Sequence, residues 1–381
     1  MRSVAPGSSG TLAGVQAGDL LTHLNGQAIG DLPHVRALLR QLRAGDALQL
    51  GVLRRGQRLE LEGTVAAFPV EQYPDAECLL DQVEVDGHAL RALCVRPRGE
   101  GPFPVVYYLP GAHWASEEHP LDPEHPVPAL IAALARLGVA TLRVERSGVG
   151  DSQGPSCTRV DYHGELAGYR AGLQLLRRSA WADDDRLMLF GHSLGAMLAP
   201  QLAELSPVQA MVVFGAGAVP IAQALIEAIE RHAQLTLGSG TAVVERSEQI
   251  AELIRLVVCG QRTPAEVFAQ RPDLAAIAPS HFHHDQAYQR VVSFYHQLQA
   301  RDIAASWQRY AGPTLALHGG GDYVTSRQDA AQIVEWVGEA AQLRELPGVD
   351  HHMSDAAADK PPRLASALRA AVLDWVRQHL L

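Results

Sequence analysis

The sequence predicts an α/β protein in which a mostly parallel central sheet carries an inserted helical lid, preceded by a small domain of strands and one helix. From residue 79 onward, short apolar runs alternate with amphipathic helices, a pattern typical of a parallel sheet covered on both faces. The alternation stops between residues 219 and 313, where the pattern is mainly helical, and then resumes. Residues 68–76 (FPVEQYPDA) hold two prolines and no apolar periodicity, which indicates a domain boundary near residue 70.

Composition excludes several classes of protein. The 381 residues are 47% hydrophobic and 19% charged, so the chain can bury sizeable cores and is not disordered. A net charge of −10 argues against a nucleic-acid partner. The sequence has neither a membrane-spanning apolar run nor a secretion signal, which predicts a cytoplasmic protein, or a periplasmic one if the natural chain starts earlier. Four scattered cysteines predict free thiols: Cys78, Cys94, Cys157 and Cys259.

The predicted first domain covers residues 1–66. Asn25-Gly26 favours a hairpin turn, and apolar spacing predicts a helix over residues 32–42. Two strands follow, over residues 48–53 and 58–63. This progression resembles a PDZ domain of the type appended to bacterial proteases.

One departure from the PDZ pattern bears on function. PDZ domains bind the free carboxylate of a peptide through a loop that precedes the strand corresponding here to residues 1–4, and that loop is missing. The domain is therefore either shortened at its start or a structural wall. We favour a packing or oligomerising role, which includes a homo-oligomer, over peptide or protein recognition. Residues 67–78 are the predicted linker to the second domain, residues 79–381.

The second domain contains a candidate nucleophile. The strand predicted over residues 186–190 runs into GHSLG (residues 191–195) and then a helix, which is the strand–turn–helix context of a G-x-S-x-G nucleophile elbow. The glycines let the helix and strand approach, and Ser193 stands exposed at the end of the sheet. The sequence therefore predicts Ser193 as a catalytic nucleophile.

A serine hydroxyl needs a general base oriented by a third group. After the predicted lid, a strand runs into HGGGD (residues 318–322), which places Asp322 at a strand end as the candidate acid. A later strand is followed by PGVDHHM (residues 347–353), which offers two adjacent bases, His351 and His352. The chain order serine, acid, histidine is the order of G-x-S-x-G hydrolases.

Residues 79–381 resemble the α/β-hydrolase superfamily. The stretch from Leu142 to Gly154 (LRVERSGVGDSQG) is similar to the D-R-G-x-G-x-S-x-G segment of serine esterases and acyl-peptidase-like hydrolases, and departs from it at Glu145 and Ser147. The resemblance implies the α/β-hydrolase fold and ester, thioester or amide hydrolysis. It favours His351 as the base, because related hydrolases have Asp-His-apolar at this point, and leaves His352 as the alternative.

Two backbone amides are expected to stabilise the oxyanion. One is Leu194, directly after the nucleophile, and the other comes from the loop after the strand over residues 105–109. Ala112 is the candidate there, with Gly111 and His113 as alternatives. No cofactor or metal is expected. The lid histidines (His281, His283, His284) with Asp285 lack a complementary metal motif, and aromatic residues of the lid are equally consistent with an acyl pocket and with core packing (Phe282, Tyr288, Phe294, Tyr295, Trp307).

The sequence thus predicts a serine hydrolase acting on a small-molecule acyl ester through an acyl-enzyme. A peptidase or aminoacyl hydrolase is the alternative, for which Glu227, Glu230 and Asp285 are candidate partners of a substrate ammonium group. A catalytically silent binding protein on the same fold is the third hypothesis.

Overall fold

A computed structural model describes residues 4, 6–39, 41–238, 240–279, 282–355 and 361–381. The chain divides into two compact units, Met1–Glu71 and Gln72–Leu381. Across the described ranges, no helix is both long and apolar enough to cross a membrane.

The small unit is a four-stranded antiparallel sheet with two helices. Asn25 and Gly26, both with positive φ, form the predicted turn between its first two strands. The predicted helix is present over Leu32–Leu39, residue 40 lies outside the described residues, and residues 41 and 42 are not helical. The strand expected over residues 1–4 lies, apart from Val4, outside the described residues. The strand order is β2-β1-β3-β4. The elements are α1 (Ser9–Leu12), β1 (Leu20–Leu24), β2 (Gln27–Ala28), α2 (Leu32–Leu39), β3 (Ala47–Arg54) and β4 (Gln57–Thr64).

The large unit is built on an eight-stranded sheet that is parallel except at one edge. Its order is β14-β13-β10-β9-β7-β8-β6-β5, and the strands from β14 to β8 all run parallel. The strands are β5 (Ala76–Val85), β6 (His88–Pro97), β7 (Phe103–Leu109), β8 (Ala140–Val144), β9 (Ala182–His192), β10 (Ala210–Phe214), β13 (Thr314–Gly319) and β14 (Ala341–Leu346).

The antiparallel edge was not predicted from the sequence. Strands β5 and β6 form a hairpin, and β5 begins at Ala76, inside the segment expected to be a linker. Most of β5 is half-buried or exposed, because it is the edge strand. Without a continuous apolar run, such a strand gives little signal in a search for buried parallel strands.

Helices cover both faces of the sheet. One face carries α3 and α13 over a core that includes Phe190 and Phe214. The opposite face carries α4, α5 and the mainly helical segment between β10 and β13, over a second core that includes Leu189 and Trp307. Asp161 caps α4, and Ser326 with Asp329 forms a capping box at the start of α12. These helices are α3 (Pro126–Arg136), α4 (Tyr162–Arg178), α5 (Leu194–Leu205), α12 (Arg327–Val337) and α13 (Ser366–His379).

The segment between β10 and β13 is mainly helical, within the range predicted for the lid. Its aromatic side chains are largely buried and pack with the core that covers this face of the sheet, Trp307 and Phe294 most completely. This packing favours a core role for them over an acyl pocket. The elements are α6 (Ile221–Leu237), α7 (Thr241–Ile254), a π-helical turn (Arg255–Cys259), α8 (Pro264–Gln270), α9 (Pro272–Ile277), β11 (Gln286–Ala287), β12 (Arg290–Val291), α10 (Val292–Gln299) and α11 (Ile303–Arg309).

Because each unit has a core of its own, we expect a chain that starts at Gln72 to fold without the small unit. Circular dichroism should show one cooperative thermal transition, with turnover of small substrates retained. A broad, non-cooperative transition would contradict this expectation.

Candidate active site

The predicted catalytic side chains follow three strands of the parallel sheet. Ser193 comes directly after β9, Asp322 follows β13, and His351 follows β14. Carboxyl ends of parallel strands lie at one edge of a sheet, where α/β proteins form their binding sites. The three residues therefore meet although they are far apart in sequence.

The turn at Ser193 is strained and tightly enclosed. Ser193 has φ 52° and ψ −115°, an unfavourable conformation for a residue with a side chain. A Cβ on Gly195 would lie 2.0 Å from the Leu109 carbonyl oxygen, so only glycine allows α5 to approach β7 this closely. The Ser193 amide donates a 2.9 Å hydrogen bond to the carbonyl oxygen of Phe214, at the end of β10. These contacts hold Ser193 at the carboxyl end of β9.

Ser193, His351 and Asp322 form one hydrogen-bonded chain. Ser193 Oγ lies 3.0 Å from His351 Nε2, and His351 Nδ1 lies 2.8 Å from Asp322 Oδ2. Since the carboxylate accepts from Nδ1–H, Nε2 is left as the acceptor for the serine hydroxyl. The alternative base, His352, is exposed, and its amide donates to Asp350 Oδ1.

The Asp322 carboxylate is buried and fully supplied with donors. Oδ1 accepts from the amides of Val324 and Thr325, while Oδ2 accepts from the Thr325 hydroxyl as well as from His351. Burial raises the pKa of Asp322, but its hydrogen bond with His351 and those from Thr325 outweigh burial and hold the pKa below its usual value. Asp322 is therefore ionised at neutral pH.

Two residues that sequence reasoning missed hold the histidine in place. His192 Nε2 donates to the His351 carbonyl oxygen over 2.8 Å. Burial and the nearby His351 lower the pKa of His192 to about 3, so it stays neutral. Gly215, at φ 61°, lies where a Cβ would be 2.9 Å from the His351 ring. His192 could have been singled out in the sequence because it occupies the first x position of the G-x-S-x-G motif.

The loop after β7, residues 110–118, passes beside Ser193. A Cβ on Gly111 would lie 3.2 Å from Ser193 Cβ, and the Pro110 carbonyl oxygen accepts from the Gly195 amide at 3.1 Å. Leu194 is buried at the start of α5, whereas Ala112 is exposed. Both residues that were predicted to supply oxyanion donors therefore belong to segments that adjoin Ser193.

A buried carboxyl group supports the far end of this loop. Glu145 Oε1 accepts from the Glu117 amide at 2.8 Å and from the Ser116 hydroxyl. Burial, together with the charge of Glu117, raises the pKa of Glu145 to about 7. The same position is where the sequence departs from the aspartate of the related motif.

Of the acids predicted to bind a substrate ammonium group, two are already paired and one is exposed. Glu227 pairs with Arg231 at 3.3 Å, Asp285 pairs with Arg159 at 2.7 Å, and Glu230 is exposed on α6. His281 lies outside the described residues. In the part of the chain that is described, no group of three or more His, Cys, Asp or Glu side chains is arranged to hold a metal ion.

A family model described as serine aminopeptidase, S33, matches residues 127–355, more than half of the chain. The chain belongs to this family. A PDZ domain model matches residues 1–54, so the small unit carries a PDZ domain. The predicted memberships are both confirmed.

Curated relatives match the two units separately. Esterase EstD of Thermotoga maritima is 24% identical over 268 residues, which are 70% of this chain and 58% of that esterase. The periplasmic pH-dependent serine endoprotease DegQ of Escherichia coli is 40% identical over 62 residues, 16% of this chain and 14% of that protein. The chain thus spans little more than half of EstD and a small part of DegQ.

Solved structures share the fold of the large unit. Est1E of Butyrivibrio proteoclasticus, solved with ferulic acid, matches with a TM-score of 0.53 and 17% identity, covering 78% of this chain and 98% of that one. A Pyrococcus furiosus esterase, Pf2001, matches with a TM-score of 0.51 and 13% identity, covering 83% and 100%. The predicted α/β-hydrolase fold is confirmed.

The raised pKa of Glu145 predicts a pH-dependent cost to stability. The native state holds a proton that the unfolded state releases between about pH 4.5 and 7, so the free energy of unfolding falls as pH rises through that window. Glu145→Gln keeps an acceptor without the charge. From about pH 5 to about pH 8 we expect the wild type to lose roughly 3 kcal/mol more than the variant.

Chemical denaturation at the two pH values measures this difference. Glu339→Gln, which changes an exposed glutamate, is the matched control and should follow the wild type. Equal pH dependence in all three proteins would show that Glu145 is ionised in the native state without cost.

Proposed function

We propose that the protein is a serine esterase that cleaves a small carboxylic ester, or a thioester, through an acyl-enzyme on Ser193. One observation carries the proposal: the hydrogen-bonded chain from Ser193 through His351 to the buried Asp322 carboxylate. A serine in strained backbone geometry with a base and an orienting acid is the arrangement that activates a hydroxyl for acyl transfer.

In the proposed reaction, Ser193 Oγ attacks the acyl carbonyl carbon while its proton passes to His351 Nε2. The carbonyl oxygen becomes an oxyanion, which the amides of Leu194 and Ala112 stabilise. Collapse of this intermediate expels the alcohol, which takes the proton from His351. Water then attacks the acyl carbon while one of its protons passes to His351 Nε2, which forms a second tetrahedral intermediate. Its collapse breaks the bond between the acyl carbon and Ser193 Oγ, Oγ takes the proton back from His351, and the carboxylic acid leaves.

Asp322 has two tasks in this mechanism. It fixes the tautomer that leaves Nε2 free to accept a proton, and its charge stabilises the imidazolium that forms. The four hydrogen bonds to its oxygens keep it ionised and in one orientation. His351 is therefore proposed as the base, rather than the exposed His352.

Ion pairs already occupy two of the three acids that could bind the ammonium group of an aminoacyl substrate. An aminopeptidase must bind a free ammonium group, which needs an unpaired carboxylate near the nucleophile. Arg231 and Arg159 already neutralise two of the three acids that the sequence offered, Glu227 and Asp285. The third, Glu230, is an exposed residue of α6.

The test is a panel of p-nitrophenyl esters, thioesters and p-nitroanilides with matched acyl groups. We expect turnover of short esters and thioesters, with p-nitroanilides much slower. Aminoacyl p-nitroanilides as the best substrates would establish the peptidase alternative, and no turnover of any member would favour a silent binding protein.

A fluorophosphonate probe should label the wild type once, at Ser193, because the probe reacts readily only with an activated serine. Ser193→Ala should abolish both labelling and turnover. Peptide mapping of the labelled protein identifies the site, and labelling of the alanine variant at the wild-type rate would remove Ser193 from the mechanism.

His351→Ala should lower kcat on the order of 10³-fold or more, since it removes the base. His352→Ala is the matched control. We expect its kcat to change less than about threefold, because the His352 ring is exposed and is not part of the hydrogen-bonded series from Ser193 to Asp322. Steady-state kinetics on one ester decides the assignment, which passes to His352 if the ranking is reversed.

A further inference from the structure

A chain of buried charges connects the lid to the centre of the large unit. Arg290, in strand β12 of the lid, donates to Glu165 Oε2, and Arg146 Nε donates to Glu165 Oε1 over 2.8 Å. All three side chains are less than a tenth exposed. We call Arg290, Glu165 and Arg146 the buried charge chain. Long charged side chains are almost never fully buried unless they are paired, and here the series of pairs ends beside Ser193.

That end is bound to the backbone beside Ser193. Arg146 Nη2 donates to the Gly111 carbonyl oxygen, and the Pro110 carbonyl oxygen lies 3.4 Å from the same nitrogen. The Gly111 oxygen also accepts from the His113 amide at 3.0 Å. The guanidinium therefore holds the first turn of the loop after β7, which contains the proposed oxyanion donor.

Because the peptide bond is planar, this contact also fixes the direction of the next N–H group. The Gly111 carbonyl and the Ala112 amide belong to one peptide unit, and in a trans peptide they point in opposite directions. Fixing the oxygen toward Arg146 therefore fixes the Ala112 N–H in the opposite direction within the same peptide plane. Gly111 itself lies against Ser193.

We propose that Arg146 is a positioning residue that aims the Ala112 amide at the oxyanion, and that Arg290 couples the lid to this alignment through Glu165. The inference rests on the proposed function, because an oxyanion forms only if Ser193 attacks an acyl group. The charge chain touches the loop and not the three-residue catalytic chain. Its loss should therefore slow the chemical step with little effect on substrate binding.

The side chains left behind by a substitution keep partners, which favours folded variants. In Arg146→Ala, Glu165 retains Arg290, and Glu117 retains its contact with His113 Nε2 at 2.7 Å. A cavity of about 170 Å³ adjoins Arg146 and Glu165, so a small guanidinium ion has room to enter.

The experiment is steady-state kinetics of Arg146→Ala on one p-nitrophenyl ester, with and without ethylguanidinium. We expect kcat to fall on the order of 10²-fold with KM changed less than about threefold, as for a misplaced oxyanion donor. Added ethylguanidinium should restore part of kcat in the variant and none in the wild type. Unchanged kcat in a folded Arg146→Ala would overturn the role of Arg146.

Arg290→Met tests the coupling to the lid and replaces Arg146→Ala if that variant does not fold. Its kcat should fall on the order of tenfold at constant KM. Arg159→Met is the matched control, because Arg159 also links the core to the lid, through an exposed pair with Asp285. It should match the wild type. Equal kinetics for Arg290→Met and Arg159→Met would overturn the coupling.

Different results would contradict the proposed esterase function and the positioning role of Arg146. Fluorophosphonate labelling and ester turnover by the wild type test the proposed function alone. If the wild type shows neither, the esterase proposal fails and this inference fails with it. If the wild type is active and the Arg146 and Arg290 variants retain its kcat, only the positioning role fails.

Discussion

The close approach between the start of α5 and the end of β7 is the constraint on which the site depends. With no side chain at Gly195, the helix backbone reaches the Leu109 carbonyl region, and the Gly195 amide can donate to Pro110. The same approach forces Ser193 into its strained turn and brings the loop after β7 beside it. The positions of Ser193 and of the loop after β7 are therefore both set by this one close approach.

Much of this site could be predicted because its residues sit at strand ends. A strand that runs into GHSLG, a later strand that runs into a glycine turn with Asp322, and a loop with histidines after the last strand are all local patterns. Parallel topology then brings the strand ends to one edge without further information.

The rest depended on contacts that leave no local pattern. The hairpin β5–β6 was missed because its edge strand is largely half-buried or exposed, and half-buried strands lack the continuous apolar run of central ones. Which of the two histidines reaches Ser193 is decided by the turn that Asp350 organises, where Oδ1 accepts from the amides of His352 and Ser354. The positive φ of Met353 completes that turn, and no propensity predicts it.

The buried charges also leave no local sequence pattern, because the residues that pair are far apart in the sequence. Glu165 is 19 residues from Arg146 and 125 from Arg290. Removing such groups from water costs several kcal/mol each, and mutual attraction offsets that cost only in good geometry. Here the signs alternate from Arg290 through Glu165 and Arg146 toward Glu117, 3.6 Å from Arg146. Burial works against ionisation of both carboxyl groups, but Arg290 and Arg146 lower the pKa of Glu165 to about 2. The contact with His113, together with Arg146, lowers the pKa of Glu117 to about 2.

Glu145 shows what happens to a carboxyl group that has hydrogen-bond donors but no such cation. Its contacts are the Ser116 hydroxyl and the Glu117 amide, and its pKa rises to about 7. The charge of Arg146 is therefore balanced by the carboxylates beside it, whereas the carboxyl group of Glu145, one residue earlier, is not balanced by a cation. Arg290, in the mainly helical segment between β10 and β13, supplies one of the balancing charges, so this segment is joined to Glu165 and Arg146 by electrostatics as well as to the core by apolar packing.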